Sequence, residues 1–439
     1  MSGVVDNIRI LPDGEFTQDN SGTVSKMLQW SYSRIIEVCP RRYLLRRTAF
    51  ELFLDNGDSI FVVCNAAQLD SICSGISGRC ARLRRHPKDR DVLGSATEQW
   101  CAGRLTNFDY LMLLNFAAGR TYNDLTQYPV VPWVLKEYEC EILNLHDYSV
   151  FRDLSKPMGA QTDTRRKHYR EIFRESETSD IPPFHYGSHY SSAAAVLFYL
   201  IRLEPFTSAH IGLQSGRFDH PDRLFNSVAR SWMSAAEWST SDVKELIPEF
   251  FYLPEFLQNG NSLHLGVRSD GQPVGDVLLP MWAKGSAREF IRLHRLALEC
   301  EHVSAHLHHW IDLIFGFKQQ GSEAVQAQNV FFFLTYAGQV DLSRIGDATV
   351  KTATADQIRN FGQTPECLFD KPHPPKKRMS ATPDLAYATQ LSPVQSFNLS
   401  FSVGALSTVP AGTNWSLFSP SPTANPICAV PPRCAVERG

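Results

Sequence analysis

The densest group of metal-ligating side chains in the sequence is a run of four histidines at positions 302, 306, 308 and 309. In a helix, His302 and His306 lie one turn apart, which is a spacing that zinc ligands use, and Asp312 or Glu299 could add an oxygen. The segment His302-Val-Ser-Ala-His306 lacks the glutamate that serves as general base in the H-E-x-x-H motif. We therefore favour a structural flank of the helix, and keep a metal-dependent enzyme on the His302–Asp312 helix as the alternative.

Two further segments carry charged residues in turn-like surroundings. Asp219 and Asp222 flank a His-Pro pair, which is typical of a turn whose carboxylates accept hydrogen bonds from nearby backbone. Asp153 and Lys156 precede a proline and are expected to fix a loop. The nucleophile elbow, the phosphate-binding loop, the dinucleotide glycine fingerprint and the kinase loop signature do not occur. The sequence therefore favours a protein that is not an enzyme, with no catalytic residues, no cofactor and no metal.

The composition excludes several classes of protein. Of the 439 residues, 43% are hydrophobic and 20% are charged, which are ordinary values for globular domains. Lys and Arg number 43 against 46 Asp and Glu, so a nucleic-acid-binding role is not expected. No secretory signal or long apolar run indicates export or membrane insertion. The ten cysteines never occur as C-x-x-C and are interpreted as reduced thiols of a soluble intracellular protein.

The first structured region is predicted between residues 28 and 80. Apolar and β-branched residues over 28–63 predict antiparallel strands, and Asn56-Gly57 is a strong hairpin signal between two of them. Apolar residues at helical spacing predict one amphipathic helix over 66–76. Strands followed by one helix are how a pleckstrin-homology-like module ends, so 28–80 is interpreted as part of such a module.

The remaining regions have distinct compositions. Residues 1–27 are predicted to be a flexible arm, and residues 81–96 a basic linker. Residues 97–375 are predicted to form one large, mainly helical domain with much irregular extended backbone, so the fold class is α+β. Residues 376–439 are poor in charge and rich in Pro, Ser and Thr, which predicts a low-complexity, largely disordered tail.

Within the large domain, periodicity and capping residues predict three helices. The first is 191–204, capped by Ser191 or Ser192 and stopped by Pro205. The longest is 289–315, with an inward stripe of Leu293, Leu296, Cys300, Val303, Leu307, Trp310 and Ile314. The third is 323–336, ended near Gly338. A single turn capped by Asp242 and Glu245 is expected to end at Pro248.

Several unusual stretches of the sequence resemble the BEACH-domain family, in the same order. Those that carry the resemblance include Gly119–Leu125, Gln127–Trp133, Phe151–Pro157, His185–Ser191, Trp310–Gly316 and Asn360–Pro365. The likeness covers about residues 28 to 375 and is greatest to neurobeachin and the neurobeachin-like proteins. It implies a pleckstrin-homology-like domain packed directly on a BEACH domain. The leading strands of the first domain, and the WD-repeat propeller that normally follows the second, have no counterpart in this sequence.

The resemblance also implies a function. It predicts a non-enzymatic cytosolic scaffold in vesicle trafficking and membrane-protein targeting, peripherally associated with endomembranes. The implied partners are proteins on trafficking membranes, protein kinases among them, with peripheral association to acidic membranes as a second expectation. No nucleic acid and no transmembrane segment are expected.

A partner-binding groove is predicted where the partial module meets the large domain. A sheet that lacks its first strands exposes unpaired backbone groups and an apolar face. The residues expected to line and rim this groove are Trp30, Tyr43, Arg41, Arg42, Arg46 and Arg47. The alternative is phosphoinositide binding through the Arg41–Arg47 patch; it ranks second because the loop that commonly binds phosphoinositides belongs to the missing strands.

Overall fold

A computed structural model describes residues 30–377, and their contacts fall into two compact units, 30–86 and 87–377. The predicted arm over 1–27 lies outside the described residues, as do residues 378–439 of the tail predicted over 376–439. Its first two residues, Lys376 and Lys377, are described and are bonded to Asn107 and Cys101. Within residues 30–377, none of the helices has the length and apolar character needed to cross a bilayer.

The first unit is a three-stranded antiparallel sheet followed by one helix. The strands are β1 (Ile35–Tyr43), β2 (Arg46–Leu54) and β3 (Ser59–Val63), in the order β1-β2-β3. The predicted hairpin at Asn56-Gly57 is confirmed: it joins β2 to β3, and Gly57 has φ 94°, a left-handed conformation that glycine adopts without strain.

Helix α1 (Ala66–Ser77) covers one face of this sheet, as predicted. The side chain of Asn65 caps its first turn by accepting from the Ala67 amide at 3.0 Å. The buried residues of this small core come from β1, β2 and one side of α1: Ile35, Phe50, Leu52, Leu54, Leu69, Cys73 and Ile76.

The second unit is mainly helical, and together with the sheet of the first unit it confirms the α+β class. Its helices are α2 (Arg90–Cys101), α3 (Asn107–Ala117), α4 (Asp163–Ser176), α5 (Ala193–Tyr199), α6 (Phe206–Leu213), α7 (Val228–Met233), α8 (Ala287–Glu299), α9 (Glu301–Ile314), α10 (Gly321–Gln326) and α11 (Ala348–Phe361). Short 3-10 turns interrupt the long connections, and a π-helical turn, Ser234–Trp238, follows α7.

The predicted helix over 289–315 is wrong in one respect, because Cys300 divides it into α8 and α9. Cys300 is extended (φ −66°, ψ 163°), and its sulfur accepts from the Val303 amide at 3.5 Å, so it acts as the N-cap of α9. The predicted inward stripe holds in α9, where Val303, Leu307 and Trp310 are buried. It fails in α8, whose buried side consists of Ala287, Phe290, Ile291, His294, Ala297 and Leu298.

Two other predicted helices are shorter than expected. Of the two expected caps, Ser192 caps α5, but α5 ends at Tyr199, well before Pro205, and Pro205 itself precedes α6. The helix predicted over 323–336 ends with α10 at Gln326, and the chain after it is irregular apart from one 3-10 turn, Phe333–Thr335.

Two smaller predictions also need correction. Pro248 does not end a turn but begins one, the 3-10 turn Pro248–Phe251, where its fixed φ and missing N–H are tolerated. Residues 90–96, expected as part of the linker, form the first half of α2.

Buried amide side chains hold the irregular backbone of the second unit in place. Asn115 on α3 donates to the carbonyl of Val130 at 2.8 Å and accepts from the Val130 amide at 2.8 Å, as a neighbouring strand would. Asn329 donates to the carbonyls of Leu313 and Lys318. Because buried backbone groups require partners, these side chains take over the role of regular secondary structure.

Candidate functional site

The arginine-rich hairpin between β1 and β2 is the segment on which the sequence placed its partner-binding residues. Tyr43 pairs with Arg46 across a two-residue turn. Leu44 and Leu45 in this turn have φ 48° and 61°, so both take the left-handed conformation of the tight hairpin turn that matches strand twist. The turn places Arg42 and Arg46 at the tip of the hairpin.

Arg41 is not at a rim, which corrects the prediction. Its side chain is only 1% exposed, and its Nε donates to Glu51 Oε2 at 2.8 Å across the strand pair. Because both side chains are buried, they form an interior ion pair, and removal of either partner would leave the other charge uncompensated. Arg41 is therefore a structural residue of the sheet.

The other predicted groove residues divide into two sets. Trp30 packs against the core of its own unit. Arg42, Tyr43 and Arg46 are half-buried, and Arg47 is exposed, with its Nη2 3.3 Å from Asp70 on α1. We call Arg42, Tyr43, Arg46 and Arg47, which lie on both faces of the strand pair at the end next to the turn, the hairpin surface.

The first unit is electropositive although the whole chain is not. Residues 30–86 contain nine arginines and five acidic residues, whereas the chain as a whole has a net charge of −3. One of those arginines, Arg79, lies with its guanidinium 5.9 Å from the ring centre of Tyr32 and donates to the carbonyl of Gly75. A positive unit of this kind attracts acidic partners and speeds their capture.

The histidines of α9 do not converge on one point. The ring of His302 lies 4.6 Å from that of Tyr148 and 4.7 Å from that of Phe151, so it is packed among aromatic rings. His306 is hydrogen-bonded through Nδ1 to the carbonyl of His302 at 2.7 Å. Within residues 30–377, no group of three candidate ligand atoms includes an α9 histidine, which favours the structural interpretation.

The carboxylates in turns act as the sequence suggested. Asp219 accepts from the amide of His220, and Asp222 accepts from the amide and hydroxyl of Ser269. Asp153 accepts from Ser155 and pairs with Lys156 at 3.0 Å. These bonds organise loops.

The interior of the second unit holds an ion pair that the sequence did not predict. Arg152 binds Glu245 through two nitrogens at 2.6 and 2.8 Å, and both side chains are buried. Glu245 also accepts from Trp310 Nε1 at 3.0 Å and from the Trp133 amide at 3.2 Å. The bidentate pair thus ties three segments to α9. The two partners lie far apart in the sequence, so no local pattern indicates the pair.

A second interior carboxyl is surrounded by tyrosines. Tyr128 and Tyr252 donate their hydroxyls to Glu249 Oε1 at 2.6 and 3.1 Å. Burial raises the pKa of Glu249 to about 7.

Comparison with known proteins defines the family. The profile of the Beige/BEACH domain matches residues 98–376, and the profile of the PH domain associated with Beige/BEACH matches residues 14–76. Since the first match alone covers more than half of the chain, the protein belongs to the BEACH-domain family, as the sequence motifs predicted.

Among curated relatives, three proteins of Arabidopsis thaliana are each 48% identical to this chain. BEACH domain-containing protein B aligns over 369 residues, and BEACH domain-containing protein A2 and Protein SPIRRIG over 364. The alignments cover 80%, 78% and 78% of this chain but only 14%, 10% and 10% of the relatives, so the chain spans a small part of their length. The likeness to the neurobeachin group in particular stays a prediction.

Proposed function

We propose that the protein is a non-enzymatic adaptor in vesicle trafficking and membrane-protein targeting. Membership of the BEACH-domain family supports this role. In the proposal the adaptor works on the cytoplasmic side of endomembranes and reaches them through protein partners, protein kinases among them.

The positive charge of the first unit is the observation that supports an acidic partner. Its nine arginines and five acidic residues favour an acidic segment as the partner. At the hairpin surface, Arg46 lies across from the half-buried Tyr43 in the strand pair, and the exposed Arg47 follows it in β2. Exposed charge mainly raises the rate of association, and an apolar side chain beside it lengthens the life of the complex. Arg41 takes no part, since its charge is already paired inside the sheet.

The test compares two double charge reversals in the full chain. Arg46→Glu with Arg47→Glu changes the hairpin surface. Arg34→Glu with Arg79→Glu is the matched control: Arg34 forms an exposed pair with Asp55, and Arg79 is an exposed arginine on the same unit. Both variants lower the net charge of the first unit equally, so only position differs.

The probe is an immobilised synthetic peptide of alternating glutamate and leucine, measured by biolayer interferometry at low and high salt. We expect reversal at the hairpin surface to slow association about tenfold or more at low salt and the control much less, with melting temperatures nearly unchanged. Equal association rates for wild type and the hairpin variant would contradict the proposed surface.

Membrane binding is the competing outcome. Vesicles of phosphatidylcholine containing phosphatidylserine and phosphatidylinositol phosphates serve as the second probe. If the hairpin reversal abolishes vesicle binding and leaves peptide association unchanged, the surface recognises lipid and the protein-partner proposal is wrong. Proximity labelling in cells with the wild type and the hairpin variant then tests the adaptor role, which requires that labelling of vesicle proteins falls in the variant.

A further inference from the structure

The sheet face opposite α1 carries a compact cluster of metal-ligating atoms. Glu37 and Cys39 are two residues apart on β1, so their side chains point to the same face, and both are buried. His86 approaches from the chain that follows α1. One carboxylate oxygen, the thiol sulfur and one imidazole nitrogen all lie within 4.8 Å of one another.

The backbone holds the three residues in this arrangement. Cys39 pairs with Glu51 in the β1–β2 ladder, which fixes the strand that carries two of the donors. The amide of Arg84 donates to the carbonyl of Ile36 at 2.8 Å, so the segment leading to His86 is bonded to the outer edge of β1. The donors therefore come from two segments, one held in the strand ladder and one held to it by a backbone hydrogen bond.

We propose that Glu37, Cys39 and His86 form a binding site for a zinc-class divalent cation. Thiolate, imidazole and carboxylate are the donors that Zn²⁺ accepts in tetrahedral sites, with bonds of about 2.0–2.3 Å. Those bond lengths require neighbouring donors to lie roughly 3.3–3.8 Å apart. The sulfur of Cys39 is already 3.4 Å from Glu37 Oε1. Small side-chain movements suffice to close the site.

Charge balance also favours a divalent cation. A thiolate, a carboxylate and Zn²⁺ sum to zero, and a neutral group is tolerated in a buried place where a single charge is not. The neighbouring guanidinium of Arg41 also interacts with Glu37 and Cys39, but its charge is compensated by its ion pair with Glu51. The site therefore lies next to an ion pair that is itself neutral.

Zinc binding at this site would displace protons. Without metal, the Cys39 thiol donates its proton in a hydrogen bond to Glu37. On binding, the S–H bond breaks, a sulfur–zinc bond forms and the proton passes to solvent. The bound metal would then link β1 to the chain that follows α1.

The test uses the full chain, treated with chelator and then dialysed against zinc chloride. Metal analysis should find about one zinc per chain that Cys39→Ser, Glu37→Gln and His86→Ala each lose. Loss of one direct ligand should weaken zinc affinity at least about 10–100-fold, since even outer partners of ligands contribute that much. Cys64→Ser is the matched control: this thiol belongs to the same unit but not to the cluster, and it should bind zinc like the wild type.

Cobalt(II) gives a readout that identifies the ligand. The wild type and Cys64→Ser should show the thiolate-to-cobalt charge-transfer absorption, and Cys39→Ser should lack it. If Cys39→Ser does not fold, His86→Ala decides the matter, because a half-buried residue outside the strands should not be needed for folding. A folded His86→Ala protein with wild-type zinc affinity, or a wild type that takes up no zinc, would show that the cluster is only a hydrogen-bonded group.

Discussion

Replacement of Trp310 tests the packing of the second unit most directly. Its indole ring is fully buried in α9, and its Nε1–H donates to Glu245 Oε1 at 3.0 Å. The same carboxylate binds Arg152, so Trp310 connects the apolar core to the buried ion pair.

Two variants separate the contributions of ring packing and of the hydrogen bond to the free energy of unfolding. Trp310→Ala removes a large buried ring, which lowers the free energy of unfolding by about 3–5 kcal/mol in comparable cores. Trp310→Phe keeps most of the apolar ring but loses the hydrogen bond to a charged group, for which about 1.5–3 kcal/mol is expected. Both losses are large fractions of the stability of an ordinary domain.

The assay is urea unfolding of the full chain, followed by circular dichroism. His306→Ala on the same helix is the control, since its side chain is exposed and the change should lower the free energy of unfolding by under about 1 kcal/mol. Equal stabilities of Trp310→Ala and His306→Ala would refute the orientation of α9. A Trp310→Phe protein as stable as wild type would refute a role for the indole donor.

Two further predictions concern buried charges. Arg41→Glu places a carboxylate beside Glu51, so it should lower the free energy of unfolding in urea by about 3–5 kcal/mol, and wild-type stability would mean that Arg41 is not interior. For Glu249, burial raises the folded-state pKa to about 7 from 4.5, so the folded state keeps a proton that the unfolded state releases in this window, and stability is lost as the pH rises. Glu249→Gln removes this loss: from pH 4.5 to 7.5 its thermal stability should improve relative to wild type, by about 3 kcal/mol for a shift of this size, and parallel pH profiles would contradict the protonated carboxyl.

The sequence predicted those elements whose signals are local. The turn at Asn56-Gly57 and the apolar spacing of α1 depend only on neighbouring residues, and both predictions are confirmed. The break at Cys300 was missed because neither glycine nor proline marks it and cysteine is not a usual N-cap. The continuous periodicity across Cys300 thus concealed two helices with different buried sides.

Strand geometry explains the error in the arginine patch. Successive side chains of a strand point to opposite faces, so Arg41 lies on the face opposite to that of Arg42. The same alternation places Arg41 on the face of Glu37 and Cys39, and the cross-strand position of Glu51 then supplies its counter-charge. Applied to residues 35–43, the period of two would have separated these arginines.

The polar interior of the second unit could not be predicted from the sequence. Asparagines such as Asn115 and Asn329 favour turns and loops on average, so their burial against backbone carbonyls has no signature in composition. The bond between Arg152 and Glu245 depends on the whole fold in the same way. Long-range pairs of this kind become visible only when the chain path is known.

The last described residues form hydrogen bonds to α3, near the start of the second unit, and to α9. His373 is hydrogen-bonded to Tyr110 at 2.6 Å and donates its amide to Asp312 at 2.8 Å, and Lys376 donates to Asn107 at 3.0 Å. During translation, these C-terminal partners of Tyr110 and Asn107 leave the ribosome only after nearly the whole domain has been made. Contacts so distant in sequence slow folding and prolong the exposure of apolar surface. We therefore expect the nascent chain to depend on chaperones until residue 376 has emerged.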